Sequence, residues 1–251
     1  MKIFCVLPLL LACAGALAQS PVTNMPEGTK DVSVGLALGT VQRAEGSRER
    51  TAFLIPHFSV QWSNGVFLEG LNLGLHMSET PHMQYGPTLF FDLGSQRADG
   101  LGPNGKKRFV PGAFFSYQPL HNVSLRSAVK YGAALEGGGV LFQGSAVYSM
   151  PVASRQSVHV ATGFEWGDEA YMQSYYGVSA QQAGLGKAPA FAASGGINNV
   201  FVRAGWRWQV SRKYTVTSSV TFSQLRGSAA ASPIIESRDA RLFYTSLTYK
   251  F

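Results

Sequence analysis

Few residues in this sequence have the types and neighbours that catalysis needs. Ser63 is a candidate nucleophile, but Asn64-Gly65 follows it directly, and Asn-Gly is a strong signal for a hairpin turn. A turn is therefore the better interpretation of this segment. The adjacent carboxylates Asp168 and Glu169 would point apart at the end of a strand, so we interpret them as charges at the edge of a loop.

The five histidines do not have the spacing of a metal site: they are His57, His76, His82, His121 and His159. His76 and His82 flank a predicted turn, where solvated polar side chains are expected. Gly137-Gly138-Gly139 is not a phosphate cradle, because no helix is predicted after it. We therefore predict no catalytic residue, no metal site and no cofactor.

Charged side chains on two neighbouring segments are the remaining candidates for chemistry. Glu165 lies on the same side of its segment as His159, and Arg203 lies on the same side as Arg207. We predict that Glu165, Arg203 and Arg207 face an enclosed lumen. Two explanations remain open, namely charges that pair inside a narrow barrel, or arginines that line a selective pore.

The elements that must position these charges are strands, because apolar and polar residues alternate along much of the sequence. Between Val200 and Ser211 the even-numbered residues are apolar and the odd-numbered ones are mostly polar. A helix would mix the two sets around its circumference, whereas a strand separates them onto opposite faces. The apolar set is expected to face lipid, and it includes Trp206, Trp208, Val216 and Phe222. The polar set is expected to face the lumen, and it includes Arg203, Arg207, Thr217 and Ser219.

The composition favours a sheet embedded in a membrane. Charged residues make up 14% of the chain, whereas a typical soluble domain has ~25%. No apolar stretch after residue 18 reaches the ~20 residues that a membrane-spanning helix needs. Many alternating segments have the ~10 residues of a tilted transmembrane strand. The predicted fold class is all-β, as an antiparallel transmembrane β-barrel.

Connections between the candidate strands alternate between short and long, as in barrels with short periplasmic turns and long outer loops. We count eleven candidate strands, one of which runs from Val66 to Leu75. Since both chain ends in the periplasm require an even number, this count is in error, and the rhythm fails between Val66 and Gly94. Pro56, Pro87 and Pro111 lie inside candidate strands, and each is interpreted as a bulge, as a strand end, or as evidence against a strand at that position. We predict 12 strands, with 10 as the alternative.

The first 18 residues resemble a signal peptide. Lys2 is followed by an apolar run from Ile3 to Ala12, and Ala16-Leu17-Ala18 has the small residues that signal peptidase recognises. An alternative is a lipoprotein acylated at Cys13. Residues 19–251 are then expected to form a single barrel domain.

The last residues predict where the chain is located. Alternate positions at the end of the chain are occupied by Phe243, Thr245, Leu247, Tyr249 and Phe251, as in the terminal strand that outer-membrane assembly machinery recognises. We interpret Tyr249 and Phe251 as the assembly signal. The expected location is the cell outer membrane, and the expected partners there are lipid, lipopolysaccharide and the barrel assembly machinery. Basic residues are scattered rather than clustered, so no nucleic acid is expected.

The segment from Asp168 to Ala183 resembles the signature loop of the MipA/OmpV outer-membrane family, the MltA-interacting proteins. The residues that carry the resemblance are Tyr171, Met172, Tyr175, Tyr176 and Gly177, followed by Gln181-Gln182-Ala183 at a helix start. Shorter matches are Glu45-Gly46-Ser47, Leu225 to Ala230, Ser232-Pro233-Ile234 and Tyr249-Lys250-Phe251. The chain departs from the family pattern at Ala44 and at Gly100-Leu101-Gly102. An aromatic girdle at the membrane interface is a second interpretation of Tyr171 to Val178.

This resemblance implies a transmembrane barrel that acts as a non-enzymatic scaffold. For the family's namesake members it implies a link between a murein lytic transglycosylase and a penicillin-binding synthase. Other members are described as osmoregulated proteins or adhesins. The competing hypothesis from the residues is an outer-membrane channel for small solutes.

Overall fold

The computed structural model describes residues 25–43, 45–78, 80–92, 94, 105–186 and 188–251. The predicted signal peptide with Cys13, the family departure at Ala44 and the segment Gly100 to Gly102 lie outside the described residues.

Twelve antiparallel strands form one closed barrel, in which each strand pairs with its neighbours in sequence and the first strand pairs with the last. The fold class and the count of 12 are therefore confirmed. The strands are β1 (Lys30–Gln42), β2 (Arg50–Trp62), β3 (Val66–Glu69), β4 (Asn72–Leu75), β5 (Met83–Asp92), β6 (Arg108–Leu120), β7 (Val123–Tyr131), β8 (Val140–Ala153), β9 (Gln156–Gly167), β10 (Gly196–Gln209), β11 (Tyr214–Leu225) and β12 (Asp239–Lys250).

Within the described residues, three short helices lie in the connections at one end of the barrel. They are α1 (Glu169–Tyr176), α2 (Ala180–Ala183) and α3 (Gly227–Ala231). None of the helices in the described ranges is long and apolar enough to span a bilayer. The opposite end carries the start of β1, the end of β12 and most of the short turns, so it is the periplasmic end, and the helices lie at the outer end.

The alternating pattern places polar side chains inward and apolar side chains outward. On β10 and β11, Arg203 and Ser219 are buried, whereas Val202 and Phe222 on the opposite faces are 52% and 53% exposed on the barrel surface. The two strands pair without a register shift from Asn199↔Leu225 to Gln209↔Thr215. A shift by one residue would move every charge into lipid, so burial of the polar face determines this register.

The segment from Val66 to Leu75 is two strands, and its prediction as one strand was wrong. Glu69 pairs with Asn72 across a two-residue turn, in which Gly70 has a φ of 55°. Glycine is favoured there because a side chain is strained at positive φ. As a result β2 pairs with β3 only from Ser59 to Gln61, and the rest of its length pairs with β1 alone among the described residues.

The prolines do not end their strands. The β5–β6 ladder passes through Pro87↔Ala113 and Leu89↔Pro111 without a register shift, so the bulge interpretation was wrong there. Pro56 lies in the part of β2 that has a partner strand on one side only. A missing backbone N–H is tolerated at such an edge.

Candidate functional site: an outer plug above a charged lumen

Helix α1 begins at the outer end of β9 because Asp168 caps it. Its Oδ1 accepts a hydrogen bond of 2.8 Å from the backbone N–H of Tyr171. An Asp at this position also interacts favourably with the positive end of the helix dipole. The earlier interpretation of Asp168 as a plain loop-edge charge was therefore incomplete.

Three side chains of α1 form the centre of an apolar cluster. Tyr171, Met172 and Tyr176 are buried, with Met172 at 0% and Tyr176 at 1% exposure. The cluster, which we call the outer plug, consists of Ala133, Leu141, Tyr171, Met172, Tyr176, Ala193, Leu225 and Ala229, with Tyr175, Phe191, Ala230 and Ile235 packed against it. The interpretation as an interfacial aromatic girdle was wrong, because these rings point away from lipid.

The other two residues of the loop motif lie at the C-terminal end of α1. The Tyr175 hydroxyl donates to the carbonyl of Ala133 at 3.3 Å, and its ring contacts Tyr171 with centroids 4.6 Å apart. The N–H of Gly177 donates to the carbonyl of Gln173 at 3.0 Å. Ser179 begins helix α2 with a capping box to Gln182, which is the helix start that the resemblance implied.

A glycine makes room for the outer plug. The Tyr171 ring lies directly over Gly167, so a Cβ at that position would overlap with the ring. Gly167 thus allows the last residue of β9 and the first turn of α1 to pack closely.

Loops from three consecutive outer connections meet at the outer plug. The carbonyl of Gly46, between β1 and β2, accepts from the N–H groups of Glu236 and Ser237 at 2.9 and 2.8 Å. The hydroxyl of buried Ser232 donates to the carbonyl of Tyr176 at 2.5 Å. These bonds connect the β1–β2, β9–β10 and β11–β12 loops, which are far apart in sequence.

Glu45 is the titratable group at this junction. Burial raises its pKa to about 7, the Glu165 carboxylate adds to the rise, and a hydrogen bond from Tyr176 opposes it. Burial also raises the pKa of Tyr176 well above its usual value, so the phenol stays protonated and donates to Glu45. Asn198, which is fully buried, donates to the same phenol oxygen at 3.4 Å.

A cavity of about 600 Å³ lies in the lumen below the outer plug. The charged residues that line it are Glu69, Arg126, Lys130, Glu165 and Arg203. Glu165 accepts from Gln143 Nε2 at 2.6 Å, and Arg203 Nε donates to Thr221 Oγ1 at 2.9 Å. Glu165 and Arg203 therefore line one common cavity in the lumen.

Arg207 lies on β10 two inward-facing positions closer to the periplasm than Arg203, and it pairs with Ser157 and Thr217 on the neighbouring strands. Arg126, Arg203 and Arg207 all lie within electrostatic range of His159. The His159 ring occupies the space above Gly205 on the neighbouring strand.

Sequence reasoning missed three of the charged lining residues as site residues. Arg126 and Lys130 lie on the polar face of β7, so the alternation that identified Arg203 also pointed to them. Glu69 was missed because β3 was interpreted as part of a longer strand. It lies within electrostatic range of Arg126 on the other side of the cavity.

His76 is not the solvated residue that was expected. Its ring packs on Phe67 and Phe114, with centroids 4.7 and 5.2 Å away. Both ring nitrogens are buried, and neither has a hydrogen-bond partner in the structure. The three rings form an aromatic group that lines the lumenal cavity.

The predicted assembly residues lie at the periplasmic end of the β1–β12 seam. Tyr249 faces outward, and its hydroxyl accepts from Lys213 Nζ at 3.0 Å. Phe251 follows β12, is 73% exposed, and stacks edge-on against Tyr249 at 4.9 Å. Its backbone N–H donates to the carbonyl of Val32 at 3.1 Å.

The described residues contain no cluster of three or more His, Cys, Asp or Glu that could hold a metal. Ser63 lies in the β2–β3 turn and accepts from the N–H of Gly28 at 3.0 Å. This is the turn that Asn64-Gly65 predicted, with Gly65 at a φ of 91°.

A closed barrel with an apolar outer surface and a polar lumen defines an outer-membrane β-barrel protein. The family model described as MltA-interacting protein MipA matches residues 34–251, so the chain belongs to this family and is located in the outer membrane. No curated protein matched the chain.

Several solved structures resemble the barrel at low sequence identity. An outer membrane channel from Pseudomonas putida F1 is 11% identical with a TM-score of 0.45, covering 94% of this chain and 100% of that one. The NanC porin is 10% identical with a TM-score of 0.41, covering 89% and 100%. The outer membrane protein OprD from Pseudomonas aeruginosa is 9% identical with a TM-score of 0.38, covering 92% and 97%.

Proposed function

We propose that this barrel is a non-enzymatic interaction protein whose periplasmic end recruits a murein lytic transglycosylase, and through it a penicillin-binding synthase. The observation that carries the proposal is the outer plug, in which loops from several outer connections pack and hydrogen-bond together. The family description, which names an interaction with MltA, supports the choice of partner.

A plugged barrel is suited to binding at its surface rather than to conduction. Opening the mouth would expose Met172 and Tyr176 and break the bonds at Gly46 and Ser232. Burial of each large side chain is worth about 1.5–3 kcal/mol, so an open mouth is costly. Murein lies on the periplasmic side, where the short turns of the barrel are presented to a partner.

Retention of a purified murein lytic transglycosylase by the detergent-solubilised barrel tests this proposal. The variant Tyr176→Ala is the matched control, because it disturbs the outer plug and leaves the periplasmic turns unchanged. We expect the wild-type barrel and this variant to retain the enzyme equally, and an unrelated barrel to retain none. Failure of the wild-type barrel to retain the enzyme would refute the scaffold function.

A second candidate is a channel for small solutes, which the polar lumenal cavity favours. Recording in planar bilayers separates the two functions. Under the scaffold proposal the wild-type barrel stays closed, and Tyr176→Ala conducts because the mouth has lost its central side chain. Steady conductance of the wild-type barrel would favour the channel instead.

A further inference from the structure

We propose that the lumenal cavity is a binding site for a small anionic saccharide that enters from the periplasm. The proposal does not depend on the scaffold function, because it rests on the lining of the lumen and not on the outer surface.

The shape of the cavity indicates the direction of entry. Its lining reaches His82 and His121 in the periplasmic connections and ends at Gln143 and Glu165, below the outer plug. No described residue of the outer loops contributes to the lining. A volume of about 600 Å³ lies within the range of roughly 300–1,000 Å³ that is usual for small-molecule sites. The cavity is therefore of ligand size, and it extends to the periplasmic rim.

The charges indicate the sign of the ligand. Arg126, Lys130 and Arg203 line the cavity together with two carboxylates, Glu69 and Glu165, so cations are in excess. Arg207 lies just below them and adds to the excess. A lumen with low-dielectric walls focuses this positive potential. Guanidinium groups bind carboxylate or phosphate in a bidentate manner, which favours an anion over a neutral solute.

The two carboxylates offset only part of this positive charge, since Glu69 lies within electrostatic range of Arg126 alone among the three cations. Glu165 lies at the outer limit of the cavity and is bonded to Gln143 at 2.6 Å. Glu69 lies on β3, across the lumen from β10, which carries Arg203. Arg203 Nε donates to Thr221 Oγ1 at 2.9 Å, so this hydrogen bond goes to a neutral side chain and not to either carboxylate.

The aromatic group indicates what the anion is attached to. Phe114 packs edge-to-face on Phe67 and His76 in the lining. Phe201 lies beside Arg203, with its ring centroid 5.4 Å from the guanidinium carbon. Rings that face a polar lumen offer electron-rich faces to weakly positive C–H groups, such as those of a sugar ring. Sugar hydroxyls would meet side-chain amides in the same lining: Asn72, Gln84, Gln118, Asn122 and Gln143.

His76 supports a hydroxyl-bearing ligand. Its two ring nitrogens are buried beside the cavity and bond to no protein group. A neutral imidazole has one donor and one acceptor, and a buried polar group is normally satisfied. A sugar hydroxyl can both donate and accept, so it suits either nitrogen.

Isothermal titration calorimetry of the folded barrel in non-ionic detergent tests the proposal. The probe is glucose 6-phosphate, and glucose and inorganic phosphate are the comparison ligands. We expect glucose 6-phosphate to bind at least about tenfold more tightly than either part alone, because the cation site and the ring site act together. Loss of heat-modifiable migration would identify any preparation that is not folded.

Variants locate the site. Arg203→Gln and Arg126→Gln should each weaken binding by about tenfold or more, and Arg203→Lys should weaken it less because the charge is kept. The matched control is Arg241→Gln, since Arg241 faces outward on β12 beside Phe222.

Three results would overturn the proposal. They are the absence of binding to the folded wild-type barrel, equal affinity for phosphate and glucose 6-phosphate, and unchanged binding in both lumenal variants. Each differs from failure of the scaffold function, which is measured by retention of the transglycosylase.

Discussion

The two ends of this barrel differ in what fills them. At the outer end, loops from three different connections pack around Met172 and Tyr176, which are almost fully buried. Below them the lumen contains charges, amides and a cavity that reaches the periplasmic rim. The same ring of strands supports both regions, so the wall does not determine the difference.

The length of the connections between strands determines how the two ends differ. The β9–β10 connection is long enough to form α1 and α2 and to fold back over the mouth. The β6–β7 and β8–β9 turns consist of two residues each, at 121–122 and 154–155. Turns of this length cannot cover a lumen, so the periplasmic end stays accessible. The comparison predicts that substitutions at the outer end change the stability of the barrel through loss of packing. Substitutions at the periplasmic end should change assembly of the barrel or have little effect.

Deletion of Phe251 should have the largest effect on the amount of folded barrel. Its ring is 73% exposed, so lost packing is not the reason. We expect an exported but poorly assembled chain, because Phe251 is the predicted assembly signal and unpaired backbone in lipid costs several kcal/mol per group. Heat-modifiable migration and outer-membrane abundance measure this, with Phe109→Ala as a control at a similarly exposed ring. Normal migration and abundance after the deletion would remove the assembly role.

Tyr176→Ala should have the largest effect on equilibrium stability at the outer end. The loss of a buried aromatic side chain costs about 3–5 kcal/mol, and this phenol also donates to Glu45. The matched control Tyr131→Ala removes a tyrosine that is 64% exposed, and it should cost much less. Guanidinium unfolding measures both variants. Equal effects would mean that the outer plug does not stabilise the barrel.

The outer plug should weaken as the pH rises. Glu45 has a pKa of about 7 in the fold against an ordinary 4.5. Its contribution to stability is therefore fully present below pH 4.5 and is lost as the pH rises through 7. The expected loss is roughly 1–3 kcal/mol, given its partial exposure. The free energy of unfolding at pH 5 and at pH 8 measures this loss, and Glu45→Gln should abolish the difference between the two values. If this variant keeps the pH dependence of the wild type, another group causes the dependence.

The smallest effect is expected at the periplasmic end of the β1–β12 seam. Asp31 and Lys250 form an ion pair in which the lysine side chain is 53% exposed. Exposed pairs contribute about 0–1 kcal/mol, so Asp31→Asn should change the unfolding free energy by less than about 1 kcal/mol. An effect as large as that of Tyr176→Ala would contradict the comparison of the two ends.

Much of the barrel wall, meaning the ring of strands, was predictable from the sequence. Alternation along β10 and β11 predicted which side chains face the lumen, because a strand turns successive residues to opposite sides regardless of the rest of the chain. Asn64-Gly65 predicted its turn for a similar reason, since the conformation depends on two adjacent residues. The β3–β4 hairpin was missed because its apolar alternation continues on both sides of Gly70.

The sequence by itself determined the barrel class, the inward and outward faces and the location of the long loops, since these depend on residues close together in the chain. Only the tertiary structure decided that the loop motif is buried and that Glu45 joins it. Tyr176 hydrogen-bonds to Ser232, 56 positions further along the chain, and it also bonds to Glu45 in the β1–β2 loop, far back in the sequence. Contacts of this kind leave no local pattern, because burial of a loop residue depends on which distant segments the closed wall brings to the same mouth.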